Sequence, residues 1–475
     1  MIETATASAG TWRALLGPKN LGASTVLAGG VALYATNEFL TISLMPSAVA
    51  EIGGHRFYAW VTTVYLVGSV MAATTVHALL MKAGPRWSYL LGFSVFSVGS
   101  LGCALAPSME LLLLGRTVQG AAGGLLAGLG YAVINTALPS SLWTRASALV
   151  SAMWGVGTLL GPAAGGLFAQ YGSWRWAFGV LVIMTVAMSV LVPIALPART
   201  PAARKALPSS RIRVPVRSLL LLGAAALLVS VAGVPRDVRL TVGLVAVAVL
   251  LVLVFVGVDR RAAASVLPPS TFGPGPLKWI YLTLGALMAA TMVDMYVPLF
   301  GQRLAHLTPV AAGFLGAGLA IGWTAAEIVS ASLKRRRVIV AAVTVAPLVM
   351  SLGLGVSALT QYQDASALLV ACWALGLTLS GVGIGMAWPH LSAWAMGKVA
   401  DPAEGPVAAA AINTVQIISA AFGAALAGVV VNVSDRGDAT AARWLFACFA
   451  VMAAMAVLAS ARSSRPLVRA AQQSA

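Results

Sequence analysis

The amino-acid sequence predicts an all-α polytopic membrane protein of fourteen transmembrane helices: two six-helix halves related by a pseudo-twofold, with two extra helices between them. Three observations carry that expectation: composition, a succession of apolar runs of spanning length, and a one-sided distribution of basic residues. Of 475 residues, 59% are hydrophobic and 9% charged, whereas a soluble chain carries roughly 25% charge. The net charge of +17 raises the idea of nucleic acid. That idea is set aside, because the basic residues sit in short loops between apolar runs with no aromatic-interleaved patch. Cys103, Cys372 and Cys448 are scattered in or beside apolar runs and form neither a metal spacing nor a disulfide framework. No cleavable signal is expected, since the first residues are polar and the next run is long enough to span.

The elements follow in chain order. Lipid offers the backbone no hydrogen bonds, so an apolar run of about 17 to 26 residues must cross as a helix. A cytoplasmic segment, 1–23, precedes the N-terminal half, 24–198. Its six spans are Ser24–Ala48, Tyr58–Met81, Trp87–Ala106, Met109–Ile134, Ala146–Gln170 and Trp174–Leu196. A basic loop, 199–217, carries Arg199, Arg204, Lys205, Arg211, Arg213 and Arg217. The extra pair, Ser218–Val234 and Leu240–Val258, fills 218–258, and a cytoplasmic linker occupies 259–278. The C-terminal half, 279–460, holds Trp279–Phe300, Pro309–Leu333, Val338–Thr360, Ala365–Trp388, Pro406–Val431 and Ala441–Ser460, followed by a basic tail, 461–475.

With the chain in the cell (inner or plasma) membrane and both termini cytoplasmic, this topology places 22 of the 30 Lys and Arg residues in the cytoplasm. Seven fall outside (Arg56, Arg175, Arg236, Arg239, Arg303, Arg436 and Arg443), and Arg116 lies within a span. That bias agrees with an even number of spans. The halves also echo each other. Gly128-Leu-Gly130-Tyr-Ala matches Gly383-Ile-Gly385-Met-Ala, Arg175-Trp176-Ala-Phe178 matches Arg443-Trp444-Leu-Phe446, and Glu38 has a counterpart in Asp294. Three matches at similar offsets suggest a parallel repeat, whose substrate site lies near the bilayer midplane between the repeats.

The fifth span carries the most informative motif, Gly157-Thr-Leu-Leu-Gly161-Pro162-Ala-Ala-Gly165-Gly166. Glycine and proline cost about 1 and 3 kcal/mol against alanine inside a soluble helix. In lipid they let a neighbouring backbone come close. The fourth span adds Leu111 to Leu114 followed by Gly115-Arg116-Thr-Val-Gln119-Gly120. Both segments, with Trp174-Arg175-Trp176-Ala-Phe178, resemble motifs of major facilitator superfamily exporters, in particular the fourteen-helix drug:proton antiporter branch. The resemblance implies the major facilitator fold and a proton-driven exporter of amphipathic or lipophilic small molecules working by alternating access. The alternatives are an exporter of an endogenous lipid or cell-envelope metabolite and, behind it, a substrate:proton importer. It implies no cofactor beyond the proton motive force. The expected partners are the bilayer, a lipophilic substrate and protons, with no nucleic acid and a monomeric chain. An enzyme is not expected, because no nucleotide, metal or nucleophile constellation is present.

Two motifs depart from the family pattern. The loop after the second span reads His77-Ala-Leu79-Leu-Met81-Lys82-Ala-Gly84-Pro85-Arg86, with Met81 where the family has aspartate. In the first span, Thr36-Asn37-Glu38-Phe39-Leu-Thr41-Ile-Ser43-Leu-Met45-Pro46 places Asn37 at the family's aspartate and Glu38 beside it, about 100° around the helix.

An ionisable group at the bilayer centre costs at least about 2.5 kcal/mol, so each one is a functional candidate. Glu38, about 21 Å up the first span, and Arg116 fall at similar depths. They are expected to form a proton-coupling pair or, on the plainer alternative, a static buried ion pair. Asp294 is expected to bind a second proton or a cationic substrate, or else to be a polar anchor near a proline break. Glu327 and Trp323 share a helix face and suit a cationic aromatic ligand. Glu327 is otherwise a partner for Lys334 to Arg337. Asn37, Trp154, Tyr296, Gln119, Asn413 and Gln416 complete the expected cavity, with helix–helix hydrogen bonding as the plainer role for the amides. His77 reads as a structural donor and His390 as interfacial.

Overall fold

In the computed structural model, residues 11–196, 215–235, 237–262, 264–401, 404–434 and 437–472 are described. Most of the basic loop (Arg199, Arg204, Lys205, Arg211 and Arg213), with Arg236 and Arg436, lies outside them. Among the described residues the long elements are helical. They are α1 (Leu21–Ile52), α2 (Trp60–Ala73), α3 (Val76–Ala104), α4 (Met109–Ala132), α5 (Trp143–Tyr171), α6 (Trp174–Ala195), α7 (Val216–Ala232) and α8 (Val238–Arg261). The series continues with α9 (Leu277–Thr291), α10 (Val297–Ala305), α11 (Pro309–Ala331), α12 (Arg336–Leu359), α13 (Ala367–Gly397), α14 (Gly405–Val433) and α15 (Asp438–Gln472). Among the described residues, eleven helices are long and apolar enough to cross a membrane; α9 and α10 count there as one, Leu277–Ala305. The helices α1, α2 and α7 occupy the places of the remaining expected spans. The first is diluted by Ser, Thr, Asn and Glu, the second has 14 residues and the third 17.

Local chemistry explains where the helices break. The second expected span is interrupted at Thr74 and Thr75, whose hydroxyls donate back to Met71 O and Ala72 O at 2.7 Å each and compete with the helical ladder. The chain then turns at Gly84, whose φ of 80° suits a residue without Cβ. Arg86, just past the turn, donates to Leu196 O at 3.3 Å and to Pro193 O, satisfying the last carbonyls of α6. The family's loop motif thus loses its aspartate to Met81 and keeps a basic residue that ties α3 to α6.

The halves repeat one packing scheme. The pairs α1–α5, α1–α6, α2–α4, α3–α4 and α3–α6 recur as α9–α14, α9–α15, α11–α13, α12–α13 and α12–α15. Between halves, α5 lies on α11 and α2 on α14, and α7 touches both α2 and α14. Large apolar side chains project outward around the bundle, Ile194 at 81% and Leu359 at 77% exposure among them. Water would penalise that surface; hydrocarbon does not.

Candidate functional site

The two acids expected at pseudo-symmetric places come from helices that meet across the halves, since α1 contacts the 3-10 turn Met292–Tyr296 as well as α10 and α11. That turn exists because of Pro298. Proline lacks an N–H, and its ring excludes the carbonyl four residues back, which is that of Asp294. The chain tightens there, Val297 N–H bonds to Asp294 O in 3-10 fashion, and Pro298 sits in the first turn of α10. Asp294 is 8% exposed with its Oδ1 unpaired. Glu38, half-buried on α1, is close enough to interact with it through space. Beside Glu38, Asn37 is fully buried; its Oδ1 faces the Thr41 hydroxyl at 3.4 Å and its Nδ2 has no partner. Buried polar atoms almost always pair, so the unpaired Asn37 Nδ2 and Asp294 Oδ1 on these facing elements are candidate contacts for a ligand or a proton.

Arg116 requires a correction. No ion pair joins it to Glu38 among the described residues. It is 1% exposed, and its Nη1 donates to Gln119 Oε1 at 2.8 Å and its Nε to Val61 O at 3.3 Å. The guanidinium lies over the Tyr65 ring, 4.0 Å from the centroid. Gln119 in turn donates to Ser100 Oγ at 2.8 Å. The guanidinium fork found acceptors and an aromatic face on α2 and α4, so Gln119 belongs to this cluster and Arg116 acts on Glu38 only through space.

Trp154 is half-buried and edge-on to Tyr34 at 5.4 Å, and Tyr34 stacks on Tyr65 at 5.6 Å. An aromatic row thereby links α5, α1 and α2 beside Asn37. Across the bundle Trp323 packs on Trp388 at 5.4 Å, with Glu327 one turn on and next to its indole. Among the described residues no ion pair connects Glu327 with Lys334 to Arg337. Asn413 is exposed and Gln416 half-buried on α14. Tyr296 is sandwiched between Tyr58 at 4.8 Å and Phe300 at 5.8 Å, its hydroxyl unpaired. His390 is 9% exposed, its Nε2 3.0 Å from Ser330 Oγ and 3.1 Å from Ser330 O. The side chain of His77 lies outside the described set.

The glycine motif lies along α1. A Cβ on Gly157 would come within 2.6 Å of Ala35 Cβ, one on Gly161 within 2.5 Å of Phe39 Cβ, and one on Gly165 would strike Leu40 O. Gly166 abuts Val310 of α11, and Gly313 of α11 abuts Ser43 and Pro162 O. The motif therefore presses α5 onto the segment that carries Asn37 and Glu38, and seats α11 of the other half upon it.

Sequence reasoning missed the contacts that close the end of the bundle assigned to the outside by charge bias. Tyr58 Oη donates to Met295 O at 3.2 Å, Asn432 Nδ2 to Arg56 O at 2.8 Å, and Arg303 Nη2 lies 3.3 Å from His55 Nδ1. Arg303 also pairs with Asp438 at 3.0 Å. Partial burial and the Arg303 cation hold the His55 pKa below its ordinary value, against the opposing pull of Asp438. Within the N-terminal half, Glu51 accepts from Arg175 Nη1 and from Trp174 Nε1 at 2.7 Å. The bond to Arg175, then that to Trp174, lowers its pKa. These partners lie up to 376 residues apart, and no local pattern signals such pairings.

The Major Facilitator Superfamily profile matches residues 27–424. A probable multidrug-efflux transporter of Mycobacterium tuberculosis is 63% identical over 461 residues, covering 97% of this chain and 98% of that protein. The multidrug transporter protein MdtP of Bacillus subtilis is 23% identical over 396 residues, 82% of this chain and 71% of its own. The xylose transporter XylE from E. coli, in an inward open conformation, matches with a TM-score of 0.62 at 13% identity, over 92% of this chain and 95% of that one. A bacterial homologue of the human lysosomal transporter Spinster matches at 0.62 and 12% identity, over 95% and 98%. At those identities the two structures speak to fold.

Proposed function

This chain belongs to the major facilitator superfamily, and from that premise we propose that it is a fourteen-helix exporter of lipophilic small molecules, driven by proton exchange. The single observation that supports proton coupling is the packing of α1, which carries Glu38, across the halves on the 3-10 turn that carries Asp294, with Asn37 Nδ2 and Asp294 Oδ1 unpaired there. Two carboxyls that interact cannot both ionise cheaply in a low-dielectric setting. Their combined proton load then depends on how far apart the halves hold them, which is the coupling an exchanger requires. The aromatic row Trp154–Tyr34–Tyr65 offers an apolar wall beside the acids, suited to a flat or cationic lipophilic ligand. The similarity to a multidrug-efflux transporter over nearly the whole chain supports export of such compounds.

The decisive experiment is purified protein in liposomes under an imposed pH gradient, following a lipophilic cationic dye. Wild type should accumulate dye only with the gradient. Glu38→Gln should lose gradient-driven flux by about 100-fold or more while dye binding persists, the scale on which removing a positioned proton carrier acts. Asp294→Asn should lower the flux and flatten its pH profile. Dye movement that ignores the gradient in wild type, or normal pH dependence in Glu38→Gln, would overturn the coupling role. A fluorescent lipid carried in place of the dye would move the substrate class to an envelope lipid.

A further inference from the structure

The extra helix pair carries a second candidate site, well away from the acids. Where α7 begins and α8 ends, a cleft of about 1010 Å³ opens between them. Its mouth holds Arg217 and Arg261, and its wall is formed by Val254, Gly257 and Val258. On α8 the residues 254, 257, 258 and 261 follow the i, i+3, i+4, i+7 spacing of a single helix face. That face runs from a cation at the helix end to apolar surface about 10 Å deeper. Nothing lies within 4 Å of the position a Cβ on Gly257 would take, so the wall is open there. The rest of α8 buries only a narrow stripe of Thr241, Ala248, Phe255 and Asp259, which leaves its remaining surface to the bilayer.

Both charged residues that line the cleft, Arg217 and Arg261, are cations. Arg217, Arg260 and Arg261 are all exposed, and none belongs to an ion pair among the described residues. Asp259, between Val258 and Arg260 on α8, is 1% exposed and accepts at both oxygens, from Val266 N at 2.7 Å and Leu267 N at 3.0 Å. It pins the following loop instead of neutralising the arginines. Arginine's fork matches phosphate oxygens, and basic pockets between spanning helices on the cytoplasmic side collect anionic headgroups. We propose that this cleft binds one anionic phospholipid, its phosphate held between Arg217 and Arg261 and an acyl chain lying on Val254, Gly257 and Val258. The charge at the mouth selects the headgroup. The apolar floor distinguishes a lipid from a free anion.

Native mass spectrometry of the full chain, titrated with dioleoyl phosphatidylglycerol or dioleoyl phosphatidylcholine, tests this. Arg217→Gln/Arg261→Gln should bind phosphatidylglycerol roughly tenfold more weakly and leave phosphatidylcholine adducts unchanged, which also shows that the variant is folded. Gly257→Leu, which fills the floor, should lower phosphatidylglycerol binding with both arginines in place. Excess inorganic phosphate should not displace the lipid. Wild-type phosphatidylglycerol binding by the double variant, equal loss of both lipids, or displacement by phosphate would each overturn the proposal.

Discussion

Arg116 illustrates what one residue's surroundings decide that its position in the chain does not. An arginine inside an apolar span must find acceptors, and depth alone made Glu38 a natural partner. The guanidinium instead uses Gln119, Val61 O and the Tyr65 face, because a planar fork is best satisfied where two acceptors and a ring converge. Arg116→Ala should leave Gln119 Oε1 without its strong donor and destabilise the fold by about 1–3 kcal/mol, read as a lower Tm of purified protein. Arg116→Lys should recover part of the loss, since it restores charge without the fork. A Tm unchanged in Arg116→Ala would mean the cluster is not holding α4 to α2. His55 gives the pH-dependent counterpart. With the two halves together at this end, its Nδ1 faces Arg303 and its pKa is lowered, so the closed end prefers neutral imidazole. That preference is complete above about pH 6.5, the ordinary histidine value, and is lost as pH falls through the lowered value. Spin labels on either half at this end should therefore move apart on acidification of wild type. They should hold a constant distance in His55→Gln.

At the scale of elements, hydrophobic run length revealed most helices because spanning segments obey a length rule that composition exposes directly. What composition does not expose is where a helix stops being regular. The 3-10 turn at Asp294 depends on Pro298 four residues later, and the break after α2 on two adjacent threonines bonding backward. Both are signals of one or two residues set in long apolar runs. The glycine motif was legible because close helix approach demands a repeated small side chain; its face is expected on the first span or that span's repeat partner, and Gly157, Gly161 and Gly165 lie on the first, α1. Gly161→Leu should therefore drive α5 off the segment bearing Asn37 and Glu38 and abolish dye transport, with the protein still present in the membrane fraction. Gly155→Ala, whose added Cβ meets nothing within 4 Å, should transport normally. Equal transport by both variants would separate the motif from the transport step.

For the whole molecule, the question is what must come apart. The repeated packing scheme makes each half a body of its own, and the contacts Tyr58–Met295, Arg56–Asn432 and Arg303–His55 fasten the two at one end. The seat of α11 on α1 and α5 lies among them, since Gly313 abuts Ser43 and Gly166 abuts Val310. The proposed alternating-access cycle would have to open this seat for a substrate to leave toward that end between α1 and α11. The Cβ that Gly313 would carry falls 3.2 Å from Ser43 Cβ, a few tenths of an ångström short of the roughly 3.5–4.5 Å span of a disulfide. Ser43→Cys/Gly313→Cys, with Cys372 and Cys448 replaced by serine, should cross-link on mild oxidation. Transport should stop when the bridge forms and return when it is reduced, while either single cysteine transports throughout. A bridged protein that still exports dye would show that the halves do not part at this seat, and that the exit path runs elsewhere in the bundle.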